Sequence, residues 1–171
     1  MLKKTIISLL TCVIILSSCA RTPKEISLND SKERVEQDIL KIEQIKKASG
    51  GIYGSYIRLI IESERQERSV AGAVFSDGSA RLIQVKGIDM EAKFAKNMIY
   101  ITNNDIPGLV GKIGQCLGSQ GVNIANFNLG RDKIGGNVIE LIEVDSPIDD
   151  SVLESLNNID DIVQVKKLNF I

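Results

Sequence analysis

MIYITNNDIPGLVGKIGQCLGSQGVNIANFNLGRD, residues Met98–Asp132, is the stretch whose reading decides the fold. A short apolar run, Met98 to Thr102, reads as a strand and is followed by the polar loop Asn103-Asn104-Asp105-Ile106. Pro107-Gly108 then starts a glycine-laced helix, and a second strand begins at Val122. A strand that ends in Asn and Asp and turns at once into a helix N-terminus places two kinds of group at one point. Side-chain oxygens there can hold an ammonium, while free backbone N–H groups and the positive end of the helix dipole can hold a carboxylate. That combination suits an amino acid.

Outward toward the C-terminus, the order from Asn97 is strand, helix, strand, strand, helix, strand. The second strand runs from Val122 to about Leu129, Lys133-Ile134-Gly135-Gly136 turns into a strand over Asn137 to Val144, Asp149 to Asn158 reads as a helix, and Ile162 to Asn169 closes the sheet. The fold class expected is α+β: a ferredoxin-like βαββαβ domain with both helices on one face of an antiparallel sheet. In the first helix Leu109, Ile113, Cys116 and Leu117 form the apolar face, and Gly108, Gly111, Gly114 and Gly118 form a second stripe. Each interior glycine costs roughly 1 kcal/mol relative to Ala, so the stripe implies close approach to the sheet or to another subunit. The spacing Gly108-x-x-Gly111-x-x-Gly114 lacks the tight GxGxxG turn of a dinucleotide site.

Upstream, Tyr56 to Glu62, Ser69 to Phe75 and Arg81 to Val85 read as strands, with Ser76-Asp77-Gly78-Ser79 as a hairpin turn and Gly72 marking a bulge or close approach. Three strands alone have a face to bury and nothing to bury it against, so a larger sheet is expected. Residues 20–51 are expected to be a polar tether and an amphipathic helix, because Val35, Ile39, Ile42 and Ile45 recur at helical spacing. Residues 1–19 read as a secretory signal: Lys3 and Lys4, an apolar run to Leu16, then Leu16-Ser17-Ser18-Cys19, which resembles the lipobox of bacterial lipoproteins. On that reading Cys19 carries the lipid and the chain is attached to a membrane of the cell envelope, the alternative being a cytoplasmic protein.

Composition excludes several functions. With 21 basic and 22 acidic residues, a net charge of −1 and 4% aromatics, there is no nucleic-acid surface to read. The chain has no His, and Cys12, Cys19 and Cys116 are too scattered for a zinc or CxxC pattern, so no metal or cofactor is expected.

NDIPGLVGKIGQCLGSQGVNIANFNLGRD, with GGNVIELIEVDSPI and VQVKKLNF, resembles an ACT domain, in particular the C-terminal regulatory domain of the D-3-phosphoglycerate dehydrogenases. ERSVAGAVFSDGSARLIQVKGIDMEA is similar to the end of the intervening domain that precedes ACT in the long form of that family. The resemblance covers Tyr56 to Ile171 and divides it into a partial intervening β segment, residues 52–94, and an ACT domain, residues 97–171. No counterpart of the substrate or nucleotide domains is present, so a non-catalytic module is implied, with an envelope lipoprotein or a truncated or fused dehydrogenase gene product as alternatives. The resemblance further implies sensing of L-serine or a similar small amino acid and a homodimer formed through the ACT domain. The implied ligand contacts are Asn103, Asp105 and Asn123, with backbone from Pro107, Gly108 and Leu109, and in the family Asn123 serves the site of the facing subunit. Read without the family, Asp105 equally fits a helix N-cap and Asn123 a turn residue.

Overall fold

The computed structural model describes residues 39–46, 55–62 and 67–170, with side chains described for 56–60 and 68–170. The chain divides into two compact units, one running to Gly87 and including Glu91–Phe94, the other made of Ile88–Met90 and Ala95–Ile171.

One sheet is made of β1 (Ile39–Lys46), β2 (Ser55–Glu62), β3 (Glu67–Val74), β4 (Ala80–Val85) and β5 (Ile88–Lys93), in sequence order; β1 to β4 belong to the first unit, and β5 is divided between the units after Met90. The pairs β1/β2, β2/β3 and β3/β4 are antiparallel. Two expectations are corrected here. Ile39–Lys46 is a strand, not the second half of an amphipathic helix: Ile39, Ile42 and Ile45 face Glu62, Leu59 and Tyr56 across the ladder. The helical spacing is real, but three β-branched residues in eight have weak helix propensity, and the open edge of β2 supplies hydrogen-bond partners that a lone helix face does not. The earlier part of the expected helix, the tether and the expected signal with Cys19 lie outside the described residues. The second correction is β5, a strand that the sequence reading does not include. Its alternation is regular, with Ile88, Met90 and Ala92 buried, but the strand is short and half charged. It follows directly on the turn Lys86-Gly87, both with positive φ.

The hairpin between β3 and β4 forms as its residues dictate. Asp77 accepts from the Ser79 N–H at 2.8 Å, Gly78 takes φ 77°, and Phe75 N–H reaches Ser79 O at 2.9 Å. The bulge expected at Gly72 is present as a register shift between Ala71 and Gly72.

The second unit contains β6 (Met98–Asn104), α1 (Leu109–Ser119), β7 (Ile124–Arg131), β8 (Asn137–Val144), α2 (Asp150–Asn157) and β9 (Ile162–Leu168). Its sheet order is β7-β8-β6-β9 with every pair antiparallel, the ferredoxin-like arrangement. Ile99 and Ile101 of β6, Ile142 and Val144 of β8 and Val165 of β9 pack with Leu109, Ile113 and Leu117 of α1 and Val152, Leu153 and Leu156 of α2, so both helices cover one face. Burying each such side chain stabilises the unit by about 1.5–3 kcal/mol.

The glycine stripe has an outcome of its own. A Cβ built at Gly111, Gly114 or Gly118 meets nothing within 4 Å, so these glycines do not serve close approach of α1 to its own sheet. Close approach belongs instead to Gly130 in β7, where a Cβ would stand 2.6 Å from Asp89 O.

Candidate functional site

The C-terminal end of β6 feeds the loop Asp105–Gly108 and then α1. Gly108 sits at φ 88°, a left-handed conformation that L side chains rarely adopt, and it occupies the N-cap of α1 without a side-chain cap bond. Asp105 is therefore not the cap. Its Oδ2 accepts from Arg131 Nη1 at 2.9 Å and from Gly135 N–H at 3.0 Å, and its own N–H donates to Gly136 O at 2.9 Å. Those contacts, the Gly135 N–H first and the Arg131 guanidinium second, hold the carboxyl below its usual range. Asp105 thereby pins the β7–β8 turn. Asp132 organises the same turn by accepting from the N–H groups of Lys133 and Asn137 and from the Asn137 amide.

Pro107 and Gly108 are exposed, and Leu109 is buried in the core. The Leu109 N–H is taken by Ile106 O at 3.3 Å, and the Lys112 N–H by Gly108 O at 3.1 Å. Among the described residues, the N–H groups of Gly108, Val110 and Gly111 have no backbone acceptor, so the donors a helix start leaves open include Gly108 of the expected span and run on to Gly111. Asn103, next to last in β6, is buried. Its Nδ2 donates to Asn104 O at 2.8 Å, and its Oδ1 has no partner.

Asn123 lies elsewhere. Both β6 and β7 run antiparallel to β8 and hence parallel to each other, so the start of β7 is level with the start of β6. Asp105 follows the end of β6, and within one chain the sheet separates the two residues by its length. The side chain of Asn123 donates to Asp145 Oδ2, and its carbonyl accepts from the Asp145 N–H at 3.3 Å. The chain thus brings together Asn103, Asp105, Pro107, Gly108 and Leu109, and it does not bring Asn123 to them.

One group had no signal in the sequence. Glu140 of β8 is fully buried, and neither carboxylate oxygen has a hydrogen-bond partner. Burial pushes its pKa up to about 7. It stands opposite Ile101 on β6 and Leu129 on β7, and it shares the helix-bearing face with Ile142 and Val144. In VIELIEV, residues 138–144, Glu140 and Glu143 both read as outward residues of an apolar run. Only the burial of both faces of β8 reveals Glu140.

Residues 3–86 match the D-3-phosphoglycerate dehydrogenase intervening domain. The chain is similar to D-3-phosphoglycerate dehydrogenases. That of Synechocystis is 32% identical over 132 residues, and that of Bacillus subtilis 27% identical over 134 residues. These alignments take in 77% and 78% of this chain but 24% and 25% of the two dehydrogenases, so the chain spans about a quarter of their length. The probable L-serine dehydratase, beta chain, of Bacillus subtilis is 24% identical over 117 residues, 68% of this chain and 53% of that protein. Together these likenesses support a module of the phosphoglycerate-dehydrogenase regulatory type. The intervening-domain match runs through the residues read from sequence as signal and tether. Among the described residues, no helix is long and apolar enough to cross a membrane.

Proposed function

We propose that this chain is a non-catalytic regulatory module with an ACT domain that senses L-serine or a similar small amino acid. The observation that carries the reading is the open first turn of α1 set against the polar end of β6. The N–H groups of Val110 and Gly111 are open to a ligand carboxylate, and Asp105 Oδ1 and Asn103 Oδ1, which accept no bond in the chain, are open to an ammonium. The relatives support it from another side. A region shared by a dehydrogenase and a probable L-serine dehydratase fits a part that both use for something other than their different reactions, and the second name contains L-serine.

The placement of Asn123 suits a homodimer. β7 is an edge strand, and a twofold pairing of β7 with β7 of a second copy runs the strands antiparallel. The Asn123 end of one copy then meets the Asp105 end of the other. A thermal-shift titration tests the reading: L-serine at millimolar concentration raises the unfolding temperature saturably, as linkage requires. Absence of any shift contradicts the reading, and oxidation of phosphoglycerate by the purified chain with a nicotinamide cofactor contradicts its non-catalytic part.

Leu16-Ser17-Ser18-Cys19 favours a second reading, an envelope lipoprotein with an ACT scaffold anchored through Cys19. The intervening-domain match takes in residues 3–19 as well, the stretch that this second reading assigns to a leader. Intact mass of the native protein separates the two: acyl chains on a chain beginning at Cys19 establish the lipoprotein, and an intact N-terminus removes it.

A further inference from the structure

Asn103 Oδ1 and both carboxylate oxygens of Glu140 are buried without a hydrogen-bond partner, and the two side chains lie next to each other in the ladder. Asn103 faces Val138 and Ile101 faces Glu140 in the β6/β8 register, so Asn103 and Glu140 are diagonal neighbours on adjacent strands. Strand alternation puts both on the helix-bearing face with Ile99, Ile101, Ile142 and Val144. That end of the face lies under the start of α1, because α1 begins shortly after β6 ends. An orphaned carboxylate in such a place is expensive to keep, and replacing it by an apolar residue would be the simpler way to fill a core. The exposed apolar residues of this unit gather at the same end. Leu129, the β7 neighbour of Glu140, is 43% exposed, and Ile106 and Val110, on either side of the helix start, are 41% and 47% exposed.

We propose that Glu140 is a further acceptor for the ammonium of the amino-acid ligand, working beside Asn103 Oδ1 at the inner end of the site. This rests on the amino-acid reading above. An ammonium has three donors, and the two orphaned side chains, diagonal neighbours on the ladder, offer acceptors to two of them. The carboxylate of the ligand then meets the open N–H groups of Val110 and Gly111. Ligands lacking a free amine leave Glu140 unpaired and are rejected.

The chemistry of Glu140 makes the proposal measurable. Burial alone raises its pKa, and no charged side chain opposes it. Ile101 and Leu129 flank it, Lys112 is the one charged residue of α1 and is exposed, Asp150 and Glu154 of α2 are exposed, and Arg131 is paired with Asp105. Glu140 is therefore largely protonated below pH 7 in the free chain and must release its proton to solvent to accept an ammonium. The dissociation constant for L-serine should rise by up to about ten-fold per unit as pH falls below 7, and level off by pH 8. Calorimetric titration of the full chain with L-serine at pH 6, 7 and 8, in two buffers of different ionisation heat, reads both affinity and proton release. Expected are proton release near pH 6 and, for Glu140→Gln, at least about ten-fold weaker binding at pH 8 with no pH dependence. Binding by the native chain that is constant from pH 6 to 8 and releases no proton overturns the role of Glu140 and leaves the amino-acid reading standing. No binding of L-serine at any pH overturns both. The native chain alone supplies the proton measurement, so the test survives a Glu140→Gln variant that does not fold.

Discussion

Asp105 and Glu140 belong to one four-stranded unit and meet opposite environments. Asp105 is partly exposed, accepts two hydrogen bonds on one oxygen, and is held ionised by Gly135 and Arg131. Glu140 is fully buried, accepts none, and is pushed toward its neutral form. The carboxylate that stands out in the sequence, at a strand end before Pro-Gly, already has structural work in the folded chain, where it fastens the turn between β7 and β8. The carboxylate hidden within an apolar strand has no function that the chain alone can explain. Unsatisfied groups in a folded interior, more than conspicuous ones in a loop, direct attention to where something is to bind.

The contrast makes its largest prediction for stability against pH. Glu140 has a folded pKa raised above its unfolded value, so the folded state holds the extra proton. Stability from this group is fully present below about pH 4.5 and is lost as pH rises through about 7, a fall of about 3 kcal/mol. Glu140→Leu should remove that fall and leave the variant more stable than the native chain at pH 8. Urea unfolding at pH 5 and pH 8 measures it, and an equal change between the two pH values for variant and native chain would mean that Glu140 is not buried unpaired.

Filled and empty space separate the glycines in the same way. Gly130→Ala drives a methyl against Asp89 O and should destabilise by about 1–3 kcal/mol, as overpacking does. Gly114→Ala enters open space on α1 and should stabilise the isolated chain by about 1 kcal/mol through helix propensity. A loss at Gly114 would instead show that a second subunit packs against that helix face.

The smallest effect belongs to Asp105. Its lowered pKa gives a contribution that is present above the ordinary carboxylate range and is lost as pH falls through the folded value. Asp105→Asn should leave the unfolding midpoint at pH 7 nearly unchanged, since the Arg131 pair is exposed. A large drop would assign the β7–β8 turn a share of the core.

Much of this is legible in the chain because local signals agree with one another. Pro107-Gly108, the turn at Gly135-Gly136 and the alternating runs around them fix the order of the second unit, and Asn137–Val144 is the strand expected. The first unit is less legible. Ile39, Ile42 and Ile45 satisfy a helical spacing and a strand pairing equally, and only β2 decides between them. β5 hides behind its charges. At the site, the loop residues are apparent from side-chain type, whereas Glu140 depends on which face of β8 is covered, a property of the assembled sheet.

Mixing two variants tests most directly the claim that the ligand site is completed by a second copy. Asp105→Ala and Asn123→Ala chains should each fail to bind L-serine alone, since every site in either dimer lacks one contact. Refolded together they should regain binding, because the mixed dimer has one site with Asp105 from one chain and Asn123 from the other. A mixture that binds no better than its parts, or an Asn123→Ala chain that binds as the native one does, would contradict the account.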